Sequence, residues 1–204
     1  DPYTILTGHQ DMYTQEYDGT DWIIFCRNTG DGTECNNESD NDSIRYLGSV
    51  KGRIIVSFNN YPLYNVVCNY GGSGVNANGT WLTPFIMHPD LDSTLLVGKA
   101  QVYRTTNGGL SFTQVGNVSG GNTFVMALAY ANSNPNYIYA TKTNRVFIST
   151  DGTNFTDKTS NLPVGSASIT AIAVSNTNPL QAWVTFSGYS AANKVWTTID
   201  GGTT

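Results

Sequence analysis

Apolar positions in this chain come in short bursts, and none keeps a helical period. Phe124–Tyr130, Tyr137–Thr141, Arg145–Ser149, Ile169–Val174 and Ala182–Phe186 alternate or run apolar, each bounded by Gly, Asn, Asp, Ser or Pro. Short runs of that kind, with turn residues at both ends, predict β-strands rather than helices. No stretch reaches the roughly 20 apolar residues that a membrane-spanning helix needs.

The runs recur in register with two kinds of turn. The first reads Thr105-Thr106-Asn107-Gly108-Gly109-Leu110-Ser111-Phe112, then Ser149-Thr150-Asp151-Gly152-Thr153-Asn154-Phe155, then Thr198-Ile199-Asp200-Gly201-Gly202-Thr203-Thr204. A looser copy is Asp18-Gly19-Thr20-Asp21-Trp22. Asn107 to Asp151 is 44 residues and Asp151 to Asp200 is 49. The second kind carries a proline, and Pro89, Pro135 and Pro179 follow one another at 46 and 44 residues. Asp1-Pro2 looks like another copy, and Asn41-Asp42-Ser43 stands where one more is due. About four strands per repeat of that length predict an all-β chain of β-propeller blades, each a four-stranded antiparallel sheet. Approximate blades are 1–34, 35–80, 81–124, 125–165 and 166–204. Four to five blades in 204 residues, with both ends reading as cuts, point to a segment of a larger propeller.

The first turn has a physical role that needs no ligand. Asp or Asn accepts hydrogen bonds from the turn's own backbone, Gly takes the positive φ, and the Ser or Thr hydroxyl adds a local bond. The aromatic is expected to pack beneath, with Phe112 and Phe155 buried. Thr105, Asn107, Gly109, Ser111 and Phe112, then Ser149, Asp151, Gly152 and Phe155, then Thr198, Asp200 and Gly202 are therefore read as structural.

These turns resemble the Asp-box, or bacterial neuraminidase repeat, of pattern Ser-x-Asp-x-Gly-x-Thr-Trp. The copies depart from it at Asn107, Phe112 and Phe155, and the copy at 149–155 is one residue short. Sialidases, xyloglucanases, sortilin-like receptors and photosystem assembly factors share that box, so the resemblance implies a fold and leaves function open. Gly8-His9-Gln10-Asp11, Gly30-Asp31-Gly32 and residues 184–189 also resemble propellers of large Bacteroidetes proteins exported by the type 9 system. That likeness implies secretion or display at the cell surface, outer-membrane associated in a bacterium.

Composition narrows the function classes. Charged residues make up 12% and the ten Lys and Arg are scattered, which argues against nucleic-acid binding. Ten of the fifteen acids fall in residues 1–42, where Arg27 is the one base. Asp31, Glu34, Glu38, Asp40 and Asp42 crowd into twelve residues there. Hard oxygen at that density suits calcium, although the spacing is not that of an EF-hand, and a solvated loop is the simpler reading. No other cofactor is implied. Cys26 and Cys35 are the candidate disulfide if the compartment is oxidising, which leaves Cys68 over.

Catalytic readings are weak. Beyond the acidic start the acids are Asp90, Asp92, Asp151, Asp157 and Asp200, and two of these belong to the repeated turns. A glycosidase needs a pair of carboxylates across a cleft. A sialidase needs clamping arginines, and Arg53-Ile54-Ile55 is not the Arg-Ile-Pro of that family. His9 and His88 read as turn-bonded. Trp22, Tyr61, Tyr64, Tyr70, Trp81 and Tyr189 either stack on sugars or a partner, or pack between blades. The expected function is a non-catalytic module that binds a protein or glycan, or scaffolds further domains of the same longer chain. A xyloglucanase-like polysaccharide hydrolase and a subunit or cargo of a secretion or adhesion assembly are the alternatives.

Overall fold

The computed structural model describes residues 5–38, 43–58, 64–68, 74–75, 78–120, 124–165, 167–189 and 194–204. Eighteen strands and two short 3-10 turns make up its regular structure, with no α-helix among the described residues. The strands form five antiparallel sheets. The first holds β1 (Ile5–His9), β2 (Tyr13–Tyr17) and β3 (Trp22–Cys26). The second holds β4 (Gly32–Asn37), β5 (Ile44–Ser49), β6 (Arg53–Phe58) and β7 (Tyr64–Cys68). The third holds β8 (Phe85–Met87), β9 (Leu95–Gly98), β10 (Val102–Thr105) and β11 (Thr113–Gln114). The fourth holds β12 (Ala127–Tyr130), β13 (Ile138–Lys142), β14 (Arg145–Ser149) and β15 (Phe155–Asp157). The fifth holds β16 (Ile169–Val174), β17 (Ala182–Phe186) and β18 (Val195–Thr198).

Each sheet is a meander in which chain neighbours are hydrogen-bonded neighbours, the build of a propeller blade. The strand reading holds, with three adjustments. The strand expected over 124–130 opens at Ala127, because the amides of Val125 and Met126 turn instead to the Lys99 and Thr141 carbonyls, each at 2.7 Å. The second sheet opens at Gly32, which pairs with Ser49, so the expected boundary between 34 and 35 falls inside β4. Among the described residues the first and last sheets have three strands rather than four. The turns expected at Asp1-Pro2 and over most of 41–43 lie outside the described residues.

Strand alternation explains why the core is divided. Successive side chains point to opposite faces, and here both faces of each of the three middle sheets meet another sheet. Leu95 and Val97 of β9 therefore pack with Tyr46, Ile54, Val56, Val67 and Phe85. Leu96 between them packs with Val102, Leu128, Ile138 and Ala140. Phe25, Leu47 and Ile55 fill the seam between the first and second sheets, and Tyr139, Ile148, Ile169 and Val184 that between the fourth and fifth. A strand apolar on both faces reads as an unbroken run such as Leu95-Leu96-Val97.

Polar ties cross the same seams. Arg45 Nη2 lies 3.0 Å from Glu16 Oε1 with both side chains buried, and its guanidinium sits 4.9 Å from the Phe25 ring centre. Arg104 Nη2 donates to the Gly152 carbonyl at 2.8 Å. The Tyr139 hydroxyl donates to the Pro179 carbonyl at 2.6 Å. Such buried ties set how one sheet sits on the next, because an unmatched polar group there is costly.

Candidate functional site

The repeated turns join the last two strands of their sheets, between β10 and β11 and between β14 and β15, and the third follows β18. Their internal bonds agree closely. Thr105 Oγ1 donates to Asn107 Oδ1 at 2.8 Å and accepts from the Gly109 amide at 2.9 Å. Thr198 Oγ1 does the same with Asp200 Oδ1 at 2.8 Å and the Gly202 amide at 2.9 Å. Ser149 Oγ reaches Asp151 Oδ1 at 3.1 Å. Asn107 Oδ1 accepts from the Ser111 amide at 3.0 Å, and Asp151 Oδ1 from the amides of Thr153 and Asn154 at 2.8 and 2.7 Å. The looser copy follows suit, with the Thr20 and Asp21 amides at 2.9 and 3.0 Å from Asp18 Oδ1.

Each turn is also tied across its own sheet. Gly108 donates to the Ser93 carbonyl at 2.9 Å, Gly152 to Asn136 at 2.8 Å and Gly201 to Leu180 at 2.9 Å. These partners lie in the turns between the first two strands of each sheet, so both kinds of sequence turn meet at one end of the molecule. Phe112 is buried as expected. Phe155 is only half-buried, packed against the edge of its cluster.

Asp151 and Asp200 are held well below the usual carboxylate range. For Asp151 the Asn154 side-chain amide contributes most, followed by backbone N–H groups. For Asp200 the Thr204 hydroxyl leads, followed by the Thr204 amide. A carboxylate so stabilised as the anion is a poor general acid. Glu16 and Glu38 are shifted the other way by burial, partly offset by Arg45 for Glu16 and by the Ser93 amide for Glu38. Both are fastened inside seams. Asp157 pairs with Arg145 at 2.7 Å.

The described calcium candidates Asp31, Glu34 and Glu38 do not converge. Asp31 accepts from the Asp11 amide at 2.8 Å, Glu34 is exposed on β4, and Glu38 faces Tyr46 and Ser93. Asp40 and Asp42 lie outside the described residues. Among the described residues no three acids, histidines or cysteines come together as a metal cluster. Cys26, Cys35 and Cys68 are thiols. Cys26 and Cys35 nevertheless belong to one packed cluster between the first and second sheets, and Cys35 Sγ is directed at the Thr33 carbonyl, 3.6 Å away. His88 Nδ1 accepts from the Asp90 amide at 3.1 Å, and its ring meets Tyr130 edge-on at 5.0 Å, a turn-bonded histidine as expected.

In the second to fifth sheets the opposite end carries the turns between second and third strands, and the links between sheets lie there too. Trp81 is 52% exposed there, on the link that packs over the turn before β6, where the Gly79 amide reaches the Lys51 carbonyl at 3.0 Å. Tyr189, in the turn before β18, is fully exposed. A mixed polar and apolar depression between them in chain order is lined by Asn144, Arg145, Asp157, Thr159, Ser160, Leu162 and Val164. Trp22, at the other end, is exposed and leans on Tyr17 at 5.4 Å. Trp22, Trp81 and Tyr189 are thus on the surface rather than packed between blades. Tyr61, Tyr70 and the Tyr64 side chain lie outside the described residues. Sequence alone did not single out the Arg145–Asp157 pair, whose members stand twelve residues apart and meet only through β14–β15 pairing.

No family model matches the chain, and no curated protein sequence matches it. Solved structures do. The Niastella koreensis GH74 enzyme superposes with a TM-score of 0.70 at 18% identity over 96% of this chain and 34% of its own. The GH74 xyloglucanase from Xanthomonas campestris gives 0.70 at 14% identity over 98% of this chain and 36% of its own. YCF48 from Cyanidioschyzon merolae gives 0.62 at 10% identity over all of this chain and 68% of its own. The chain spans about a third of the length of these two GH74 enzymes. At such identities the likeness establishes the fold, a β-propeller, and nothing finer.

Proposed function

We propose that the chain is a non-catalytic recognition module, secreted or displayed at a cell surface, whose end opposite the repeated turns binds a glycan or a protein partner. One observation carries this reading. Trp81 and Tyr189 stand exposed on the loops of that end, with the depression lined by Asn144, Arg145, Asp157 and Leu162, while Asp18, Asp151 and Asp200 hold turns and Glu16 and Glu38 hold seams. Exposed aromatics on a rigid frame are a common recognition surface, since they gain contact area with little ordering entropy. The repeated turns fit the role of Asp-boxes that brace such a frame.

A second reading has the likeness to GH74 enzymes in its favour. The chain would then be part of a polysaccharide hydrolase, with carboxylates such as Asp11, Asp21 or Asp31 in play. Both readings meet in one experiment. The protein is screened for binding to plant and host glycans and for release of reducing ends, beside W81A and Y189A. Saturable binding without turnover, weakened at least tenfold by either substitution, is the expected result. Turnover abolished by one carboxylate-to-amide change would replace recognition with hydrolysis. Full binding by both aromatic variants would move the site elsewhere.

A further inference from the structure

From β5 onward, charge is sorted by end. Each sheet carries cationic side chains where its second strand turns into its third: Lys51 and Arg53 in the second sheet, Lys99 in the third, Lys142 and Arg145 in the fourth, Lys194 in the fifth. The acids lie at the opposite end. Asp90 and Asp92 stand between β8 and β9, Asp151 between β14 and β15, and Asp200 after β18. Asp157 is the exception among the described residues, and it sits against Arg145 at 2.7 Å. Of the other cations, Arg45 and Arg104 are spent on seams and Lys158 lies beside β14. Asp11, Asp31 and Glu34, beside β1 and β4, give the cationic strip an acidic border.

Two points of the strip are open to contact. Lys51 is exposed in its turn. The link that carries Trp81 is bonded to that turn twice, with the Lys51 amide donating to the Trp81 carbonyl at 3.3 Å and the Gly79 amide to the Lys51 carbonyl at 3.0 Å. An exposed indole and an exposed ammonium thus share one pair of loops. The second point is Arg145, whose side chain is 42% exposed. Its guanidinium lies beside Gly120 and donates to Asp157 through Nη1. Asn144 and Ser160, both exposed, and Leu162 line the same depression. Lys99 and Lys142 are buried under the turns, where positive charge is screened less than at the surface.

We propose that this end of the second to fourth sheets is a receptor for a polysaccharide carrying uronic acids, a reading that rests on the recognition role above and narrows its ligand. Arg145 meets a carboxylate with its planar fork, a pairing that suits guanidinium geometry. Asn144 and Ser160 bond sugar hydroxyls, and Leu162 meets the apolar face of a ring. Trp81 stacks on a second sugar beside Lys51. Cations repeated from sheet to sheet match a polymer whose charges recur along its length, and their summed field draws it to this end. A neutral glycan gains nothing from that field.

The test is calorimetry on the 204-residue protein with polygalacturonate, its methyl ester, xyloglucan and poly-glutamate. Polygalacturonate should bind saturably and more weakly as salt rises. The ester, which keeps the sugar and loses the charge, should bind at least about tenfold more weakly. Arg145→Gln should cost about tenfold, and Lys51→Gln about twofold to fivefold. Asp157→Asn removes the competing carboxylate and keeps an acceptor for the Thr159 amide, 2.9 Å from Asp157 Oδ1. That variant should bind polygalacturonate more tightly. If Arg145→Gln fails to fold, the ester and Asp157→Asn still decide. Equal binding of acid and ester, weaker binding by Asp157→Asn, or tighter binding of poly-glutamate would overturn the proposal. Xyloglucan bound as well as polygalacturonate would overturn it and leave the recognition role standing. No binding of any glycan would overturn it together with glycan recognition itself.

Discussion

The Glu38 carboxylate accepts a hydrogen bond from the Tyr46 hydroxyl at 3.0 Å and from the Ser93 amide at 2.9 and 3.1 Å, so one side chain links β5, the turn after β4 and the turn before β9. Tyr46 is almost wholly buried, and burial together with the Glu38 charge pushes its phenol well above the usual range. Tyr46→Phe keeps the packing and removes one donor from a buried anion. A loss of about 1–3 kcal/mol is expected, measured as a shift in the urea midpoint. An unchanged midpoint would mean that the bond contributes nothing net.

Acid titration separates the two classes of carboxylate. Asp151 and Asp200 have depressed folded values. Their stabilisation is therefore full above the unfolded value of about 4 and is lost as pH falls through the folded one. The D151N/D200N protein should lose less stability than the parent between pH 4 and 2. Glu38 has a raised folded value, so its contribution is present below about 4.3 and is lost as pH rises from there. E38Q should flatten that limb. Parallel stability curves for parent and variants would contradict both assignments.

Gly109 offers a steric test. Its φ is +95° and a Cβ there would collide with Val67, whereas at Gly165 a Cβ would meet nothing within 4 Å. Gly109→Ala should destabilise by at least about 1–3 kcal/mol, and Gly165→Ala by almost nothing. Equal effects in thermal denaturation would show that the third sheet yields easily at its turn.

The Cys35 thiol is pushed up to about 11 by burial, against a weaker opposing contribution from Thr14. Alkylation depends on the thiolate. At pH 8 the folded chain should react at Cys35 on the order of 100-fold more slowly than a free thiol, with the rate recovered on unfolding. Denaturation without reductant reads the pairing state directly, since a Cys26–Cys35 bridge would hide two of the three thiols.

Local features were legible in the sequence because their physics is local. Thr105, Asn107 and Gly109 bond to one another within five residues, and the same pattern at Ser149–Phe155 and Thr198–Thr204 reveals the repeat. Partners across seams were not legible. Glu16 and Arg45 stand 29 residues apart, and nothing in either neighbourhood marks one for the other. Glu38 looked like one of five acids in a loop until stacking brought Ser93 beside it. Lys99 and Lys142 are both buried at matching ends of β9 and β13, although lysine composition predicts a solvated surface. The exposure of Trp81 likewise depends on how its link lies over another sheet's turn.

The four seams are arranged in series, and each draws its side chains from two consecutive sheets. Cohesion in such a molecule spreads by nearest neighbours, like dominoes, rather than through one shared centre. A lesion at Leu47 should loosen the first seam and leave amide protection in the fourth sheet nearly intact, because two intervening packings insulate it. Damage, in this architecture, stays where it is done.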